Sequence, residues 1–133
     1  MNRTFGFGKK DRLKSKKQIE ELFANGRSVS SFPVRVIYLF KASDAAGSLQ
    51  AGVTAGKRTF KRSVDRNRIK RLLKEAYRLQ KNELKQICDY KKLNGYLFFT
   101  YTDKTIASFE VIKEAVATCL KKLNQKLINE SHS

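Results

Sequence analysis

A chain of 133 residues with 29 Lys and Arg against 12 Asp and Glu has the length of one compact domain, residues 1–133, and a formal net charge of +17 that exceeds what solubility requires. Its 41% hydrophobic content is enough for a core, which excludes a disordered basic tail. Self-repulsion of this size points to a polyanionic partner, nucleic acid before an anionic membrane surface, and no apolar run approaches the length of a bilayer span.

The first seventeen residues, MNRTFGFGKKDRLKSKK, hold no apolar stretch of the kind a secretory signal needs. Cys88 and Cys119 have neither metal-site nor redox-motif spacing and read as reduced, buried small hydrophobes, which places the protein in the cytoplasm. The one histidine, His132, is next to the C-terminal residue, which disfavours imidazole chemistry. The carboxylates are scattered, and a protein nuclease would show an acidic metal-binding cluster or paired catalytic side chains. No catalytic residue and no metal ligand is assigned.

Residues 1–12 are basic and include Phe5 and Phe7, which reads as an extended arm, mobile unless docked. A first helix follows. Ser15 is an N-cap, Gln18 three residues later completes a capping box, and Leu13 can staple against Ile19. Ile19, Leu22 and Phe23 share a face, and Asn25-Gly26 is a stop at which the glycine is free to turn left-handed. SFPVRVIYLFKA, residues 31–42, reads as a strand with Val34, Val36, Tyr38 and Phe40 on one face and Arg35, Ile37 and Leu39 on the other. LQAGVTAG, residues 49–56, reads as a second strand, antiparallel to the first.

Residues 57–74, KRTFKRSVDRNRIKRLLK, contain nine basic residues and a single acid, Asp65. A helix begins near Ser63, which reads as its cap, and runs to about residue 80, with Asp65 well placed at the positive end of its dipole. At 100° per residue, Ile69, Leu72, Leu73 and Ala76 fall within about 60° of one direction and make the core stripe. Arg66, Lys70, Lys74 and Arg78 step in fours beside them, roughly 6 Å apart, close to the spacing of phosphates along a strand. Asn67 and Arg71 lie on the far side and Arg68 on the other flank. A solvated helix face usually mixes charge signs, but Glu75 is the only acid between residues 66 and 78, so anion binding is favoured over mere solvation. Lys57, Arg58, Lys61 and Arg62 extend the patch upstream. The amide of Asn67 can donate to and accept from a base or sugar while the flanking arginines grip phosphates. Residues 82–95 add a short helical turn before Gly95. YLFFTYT, residues 96–102, is an apolar central strand. The last helix starts at Ser108, with Phe109, Ile112, Val116, Leu120, Leu123 and Leu127 at three- and four-residue spacing. The order is helix, two or three strands, helix, strand, helix, an α/β (α+β) two-layer sandwich with one mixed sheet.

In that context VDRNRIKRLLKEAYR resembles the bacterial ribonuclease P protein family, whose signature is a helix containing RNR, commonly RNRIKR as at residues 66–71. The likeness covers nearly the whole chain, from KKDRLKSKKQIEELFANG through SFPVRVIYLF and LQAGVTAGKR to YLFFTYTDK and the last helix. It implies a subunit of a ribonucleoprotein endonuclease in which a catalytic RNA, with Mg2+ at its own active site, removes the 5′ leader of precursor tRNA. The protein would bind and position both RNAs, hold no cofactor, and carry a left-handed βαβ crossover. It implies that Arg66, Asn67, Arg68, Lys70, Arg71 and Lys74 of the RNR helix face the catalytic RNA, joined by Lys57, Arg58 and Arg62. It also implies a cleft for the single-stranded leader between the first helix and the sheet, lined by Arg12, Ile19, Phe23, Arg35 and Ile37. The chain departs from the family at Ile19, where an aromatic is common, at Lys61, where a glycine is common, and over residues 80–95, which are longer. Ile19 stands about evenly between cleft and plain core. Three other readings weigh against the family: a ribosome-associated RNA-binding protein, a DNA-binding recognition helix, which lacks its helix-turn-helix neighbour, and a self-sufficient nuclease.

Overall fold

The computed structural model describes residues 11–130. In chain order the elements are α1 (Lys16–Asn25), β1 (Arg27–Ser31), β2 (Val34–Ala42), β3 (Ser48–Thr54), α2 (Ser63–Gln80), α3 (Asn82–Lys91), β4 (Leu93–Tyr101) and α4 (Phe109–Glu130). The fold is α/β with one mixed four-stranded sheet in the order β1-β2-β4-β3. Residues 1–10 of the arm expected over residues 1–12, and His132, lie outside the described residues.

Serines cap the two outer helices, as expected at Ser15, whereas Ser63 is the first residue inside α2 and Arg62 precedes it with no side-chain cap. The Ser15 hydroxyl accepts from the Gln18 amide at 3.3 Å, and the Ser108 hydroxyl accepts from the Val111 amide at 3.3 Å. α1 stops at Gly26 by a different route from the one expected. Its φ is −75°, extended rather than left-handed. The glycine is required by close approach, since a Cβ there would lie 2.3 Å from the Leu22 oxygen and 2.9 Å from the Tyr38 oxygen. Gly95, expected to end a helical turn, sits inside β4, where a Cβ would meet the Phe40 and Leu49 side chains at 2.8 and 2.9 Å.

The expected pairing of residues 49–56 with the first strand is not what forms. β3 pairs parallel with β4, and β4 pairs antiparallel with β2, so β4 separates the two. The physical reason is burial on both faces. Leu97 and Phe99 point into the main core, while Tyr96 and Phe98 pack beneath α1. A strand apolar on both sides is stable only in a central position. The polar RSVSS segment gives little strand signal, yet it forms β1 as an edge strand against β2, burying only Val29. Lys122 Nζ secures it by donating to the Ser30 oxygen at 2.8 Å.

Val34, Val36, Leu97 and Phe99 of the sheet pack with Ile69, Leu73, Ala76 and Tyr77 of α2 and with Ile112, Val116 and Leu123 of α4. Each fully buried side chain of this kind stabilises by about 1.5–3 kcal/mol. On the opposite face a smaller cluster of Leu13, Leu22 and Tyr96, with Ile19, Ile37, Leu39 and Phe98 against it, holds α1 to the sheet. Leu13 and Ile19 share that cluster, as the staple required. Residues 82–91, expected as a single turn, form the ten-residue helix α3, which buries Leu84 and Cys88 and ends at Lys92 with φ 56°.

Both thiols lie in the core, and burial pushes Cys88 and Cys119 up to about 11. Iodoacetamide at pH 8 is therefore expected to leave both unmodified in the folded protein and to label both within minutes in denaturant, as read by mass spectrometry. Labelling at the denatured rate without denaturant would mean that the core opens readily.

Candidate nucleic-acid interface

α2 sorts its side chains as helical periodicity requires. Ile69, Leu73, Ala76 and Tyr77 are buried, Leu72 is half-buried, and Asn67, Arg68, Arg71 and Lys74 are exposed, with Lys70 at the margin. Among the described residues no carboxylate pairs with Arg68, Lys70, Arg71 or Lys74. Arg78, the last cation of the stripe, differs. Its Nε donates to Glu75 Oε1 at 3.0 Å and its Nη2 to the other carboxylate oxygen, which holds the Glu75 carboxyl below its usual range. The uncompensated charge thus lies toward the N-terminal half of α2. There a concavity of about 500 Å³ is lined by Arg62, Ser63, Val64, Asp65, Asn67, Arg68 and Arg71. Arg62 reaches Asp65 only at 3.6 Å and stays three-quarters exposed, an arrangement worth little.

The basic segment ahead of α2 is a tied turn. The Phe60 amide donates to the Gly56 oxygen at 3.0 Å, and the Phe60 ring is buried 6.0 Å from that of Tyr101. Lys57, Arg58 and Lys61 are exposed around it. Arg66 is half-buried, and its Nη1 donates to the Phe60 and Lys61 oxygens at 2.7 and 2.9 Å. Nothing in the RNR spacing signals that its first arginine is engaged with the chain itself.

On the other face of the sheet, the residues expected to line a cleft fall into two groups. Ile19 and Ile37 are half-buried in the small apolar cluster, and Phe23 stands at its rim, 52% exposed. The Phe23 ring meets Phe98 edge-on, with centroids 5.2 Å apart and planes at 73°. Phe98 was missed by sequence reading, although the alternation in YLFFTYT places it on the face opposite Leu97 and Phe99. Gly52 lies beside it because a Cβ there would be 2.8 Å from the Phe98 ring. One row on, Arg35, Thr100 and Thr54 lie across the strands, and Arg35 is exposed. This row is at the sheet end from which the basic turn emerges, because β3 ends at Thr54 and β4 at Tyr101.

Arg12 is separate from that group. It bridges Ala51 at the free edge of β3, next to Leu13, whose amide donates to the Ala51 oxygen at 2.9 Å. The carboxylate of Asp11 lies 3.8 Å from the buried ammonium of Lys81, which also faces the Tyr77 ring at 5.8 Å. Burial lowers the Lys81 pKa, with Lys85 and Arg78 acting the same way and Asp11 opposing. Residues 11–13 are therefore docked, which fixes the last two residues of the arm expected over residues 1–12. Among the described residues no helix is long and apolar enough to cross a membrane, and no group of three or more His, Cys, Asp or Glu side chains could hold a metal ion.

The sequence of residues 7–124 matches the family model described as Ribonuclease P. The chain is 31% identical over 117 residues to a ribonuclease P protein component of Porphyromonas gingivalis, covering 88% of this chain and 85% of that one. It is 32% identical over 120 residues to that of Chlorobaculum tepidum, covering 83% and 77%. Among solved structures it is similar to the RNase P protein of Staphylococcus aureus, with a TM-score of 0.64 at 18% identity over 85% of this chain and 94% of that one. The RNase P protein of Thermotoga maritima gives 0.61 at 18% identity, covering 84% and 96%. A cationic RNR helix on an α-β-β-β-α-α-β-α frame, matched along most of its length by these relatives, makes the chain a member of the ribonuclease P protein family, the protein component of an endoribonuclease.

Proposed function

We propose that this protein binds the catalytic RNA of ribonuclease P through the outer face of α2 and the 55–62 turn, and binds the 5′ leader of precursor tRNA between α1 and the sheet. The observation that carries the first part is the row of cations on α2 without carboxylate partners, Arg68, Lys70, Arg71 and Lys74, continued by Lys57, Arg58 and Arg62. Such a row is costly to the free protein and is relieved by phosphates and the counterions they release. Asn67, exposed between arginines, adds a donor and an acceptor for a base edge or a 2′-hydroxyl. For the leader, Phe23 and Phe98 offer an aromatic platform, Ile19 and Ile37 an apolar floor, and Arg35 a cation one row away. A single strand is held by this combination of stacking and charge. Arg12 lies at the free edge of β3 and would meet the leader's backbone there.

Hydrolysis in this reading belongs to the RNA and its Mg2+. The protein screens phosphate repulsion and holds the substrate in place, in the cytoplasm, where both thiols stay reduced. The test is 5′ cleavage of a precursor tRNA at low Mg2+ by RNA alone, protein alone and the two together. Cleavage by the pair alone is the expected result. Cleavage by the protein alone would overturn the division of labour. Tight RNA binding without any effect on cleavage would replace it with a ribosome-associated role.

A further inference from the structure

Arg66 stands apart from the cations that follow it on α2. Arg68 and Arg71 are exposed and have no hydrogen-bond or ion-pair partner among the described residues. Arg66 is half-buried, and two donor directions of its guanidinium are committed to backbone carbonyls of its own chain, those of Phe60 and Lys61. A guanidinium has five N–H donors in one rigid plane, so fixing Nη1 fixes the orientation of the group. Those carbonyls stand at the C-terminal end of the turn that the Phe60 amide closes by donating to the Gly56 oxygen. Lys57 and Arg58 lie inside that closed turn, just upstream of the two carbonyls, with the buried Phe60 ring as anchor. A cation in the first turn of a helix is opposed by the helix dipole, so its position there calls for a local partner, and the two carbonyls are that partner.

We propose that Arg66 is a positioning residue for RNA binding. It holds the 56–61 turn so that Lys57 and Arg58 meet phosphates in a preset geometry, and it makes no phosphate contact itself. A turn already ordered in the free protein loses little conformational entropy on binding, whereas a loose one loses that freedom at the moment of contact. The choice of RNA as the ligand rests on the function proposed above, but the role of Arg66 in ordering the turn does not.

The experiment has one arm without RNA and one with it. In the free protein, hydrogen exchange at the Phe60 amide should quicken about tenfold in Arg66→Ala while the α2 amides from Ile69 onward keep their protection. Unchanged exchange at Phe60 would overturn the proposal. In the second arm, binding to the catalytic RNA is measured against salt for wild type, Arg66→Ala, the Lys57→Ala/Arg58→Ala pair, and the triple variant. The triple is expected to match the pair within about twofold, with the same salt slope. A triple weaker than the pair by the full single-variant factor, with a slope smaller by about one, would show a direct phosphate contact and overturn the proposal. If Arg66→Ala loses protection throughout α2, Arg66→Gln is read in its place, since it keeps an amide donor and a good helix former without the charge. Failure of the wild type to assist cleavage would count against the proposed function alone, because the exchange arm is read without RNA.

Discussion

Replacing Arg68, Lys70, Arg71 and Lys74 together by alanine is expected to weaken binding to the catalytic RNA on the order of 10³-fold at physiological salt. The magnitude comes from counterion release. Each lost phosphate contact lowers the slope of log K against log salt by about one, and at roughly 0.15 M salt four such contacts amount to about three decades. The fold should tolerate the change, because the exposed side of α2 contributes nothing to the core built by Ile69, Leu73, Ala76 and Tyr77. Lowering a net charge of +17 by four also relieves self-repulsion, so the thermal midpoint should hold or rise. The check is a salt titration of RNA affinity beside a thermal melt. A full loss of affinity with an unchanged slope would place the phosphate contacts elsewhere on the protein.

The second large effect is expected at Phe23. Phe23→Ala should weaken binding of a precursor tRNA by about 1–3 kcal/mol, the range for stacking a base on an aromatic ring. That is about 5- to 150-fold. Mature tRNA, which has no leader, should be affected far less. The side chain is half-exposed and touches the protein chiefly through the edge of Phe98, so stability should change little. Leu22→Ala is the informative contrast. Leu22, which precedes Phe23 on α1, is fully buried beneath the helix, and its truncation should cost about 2–5 kcal/mol of stability, with no preference between the two tRNAs. Equal losses for precursor and mature tRNA in Phe23→Ala would make Phe23 a packing residue.

The helices and their inward faces were legible in the sequence because their signals are local. Ser15 caps α1, the last helix begins where Ser108 placed it, and the apolar spacing of Ile69, Leu73 and Ala76 names the core side of α2 without reference to any other element. β1 was not legible, because an edge strand buries one side chain, Val29, and four polar neighbours conceal it. α3 was not legible in full, because its buried residues, Leu84 and Cys88, make a single contact line too sparse to read as periodicity. At the site, the exposed cations could be named one by one. Arg66 could not be told from Arg68, since the difference is whether a carbonyl lies within reach, and the chain fold alone decides that.

By itself the sequence determined the charge and its sorting: an excess of cations gathered on one helix face and the turn before it, opposite an apolar stripe. Both follow from the 3.6-residue repeat and need no knowledge of what lies across the core. Only the tertiary structure decided which strands are neighbours. β4 enters between β2 and β3 because its two apolar faces both need cover, one from α2 and α4 and the other from α1. That insertion brings Phe98 against Phe23, sets Arg35, Thr100 and Thr54 in a row, and directs the basic turn from the same end of the sheet. Strand order is a matter of burial summed over elements distant in the chain, and no window of sequence contains it.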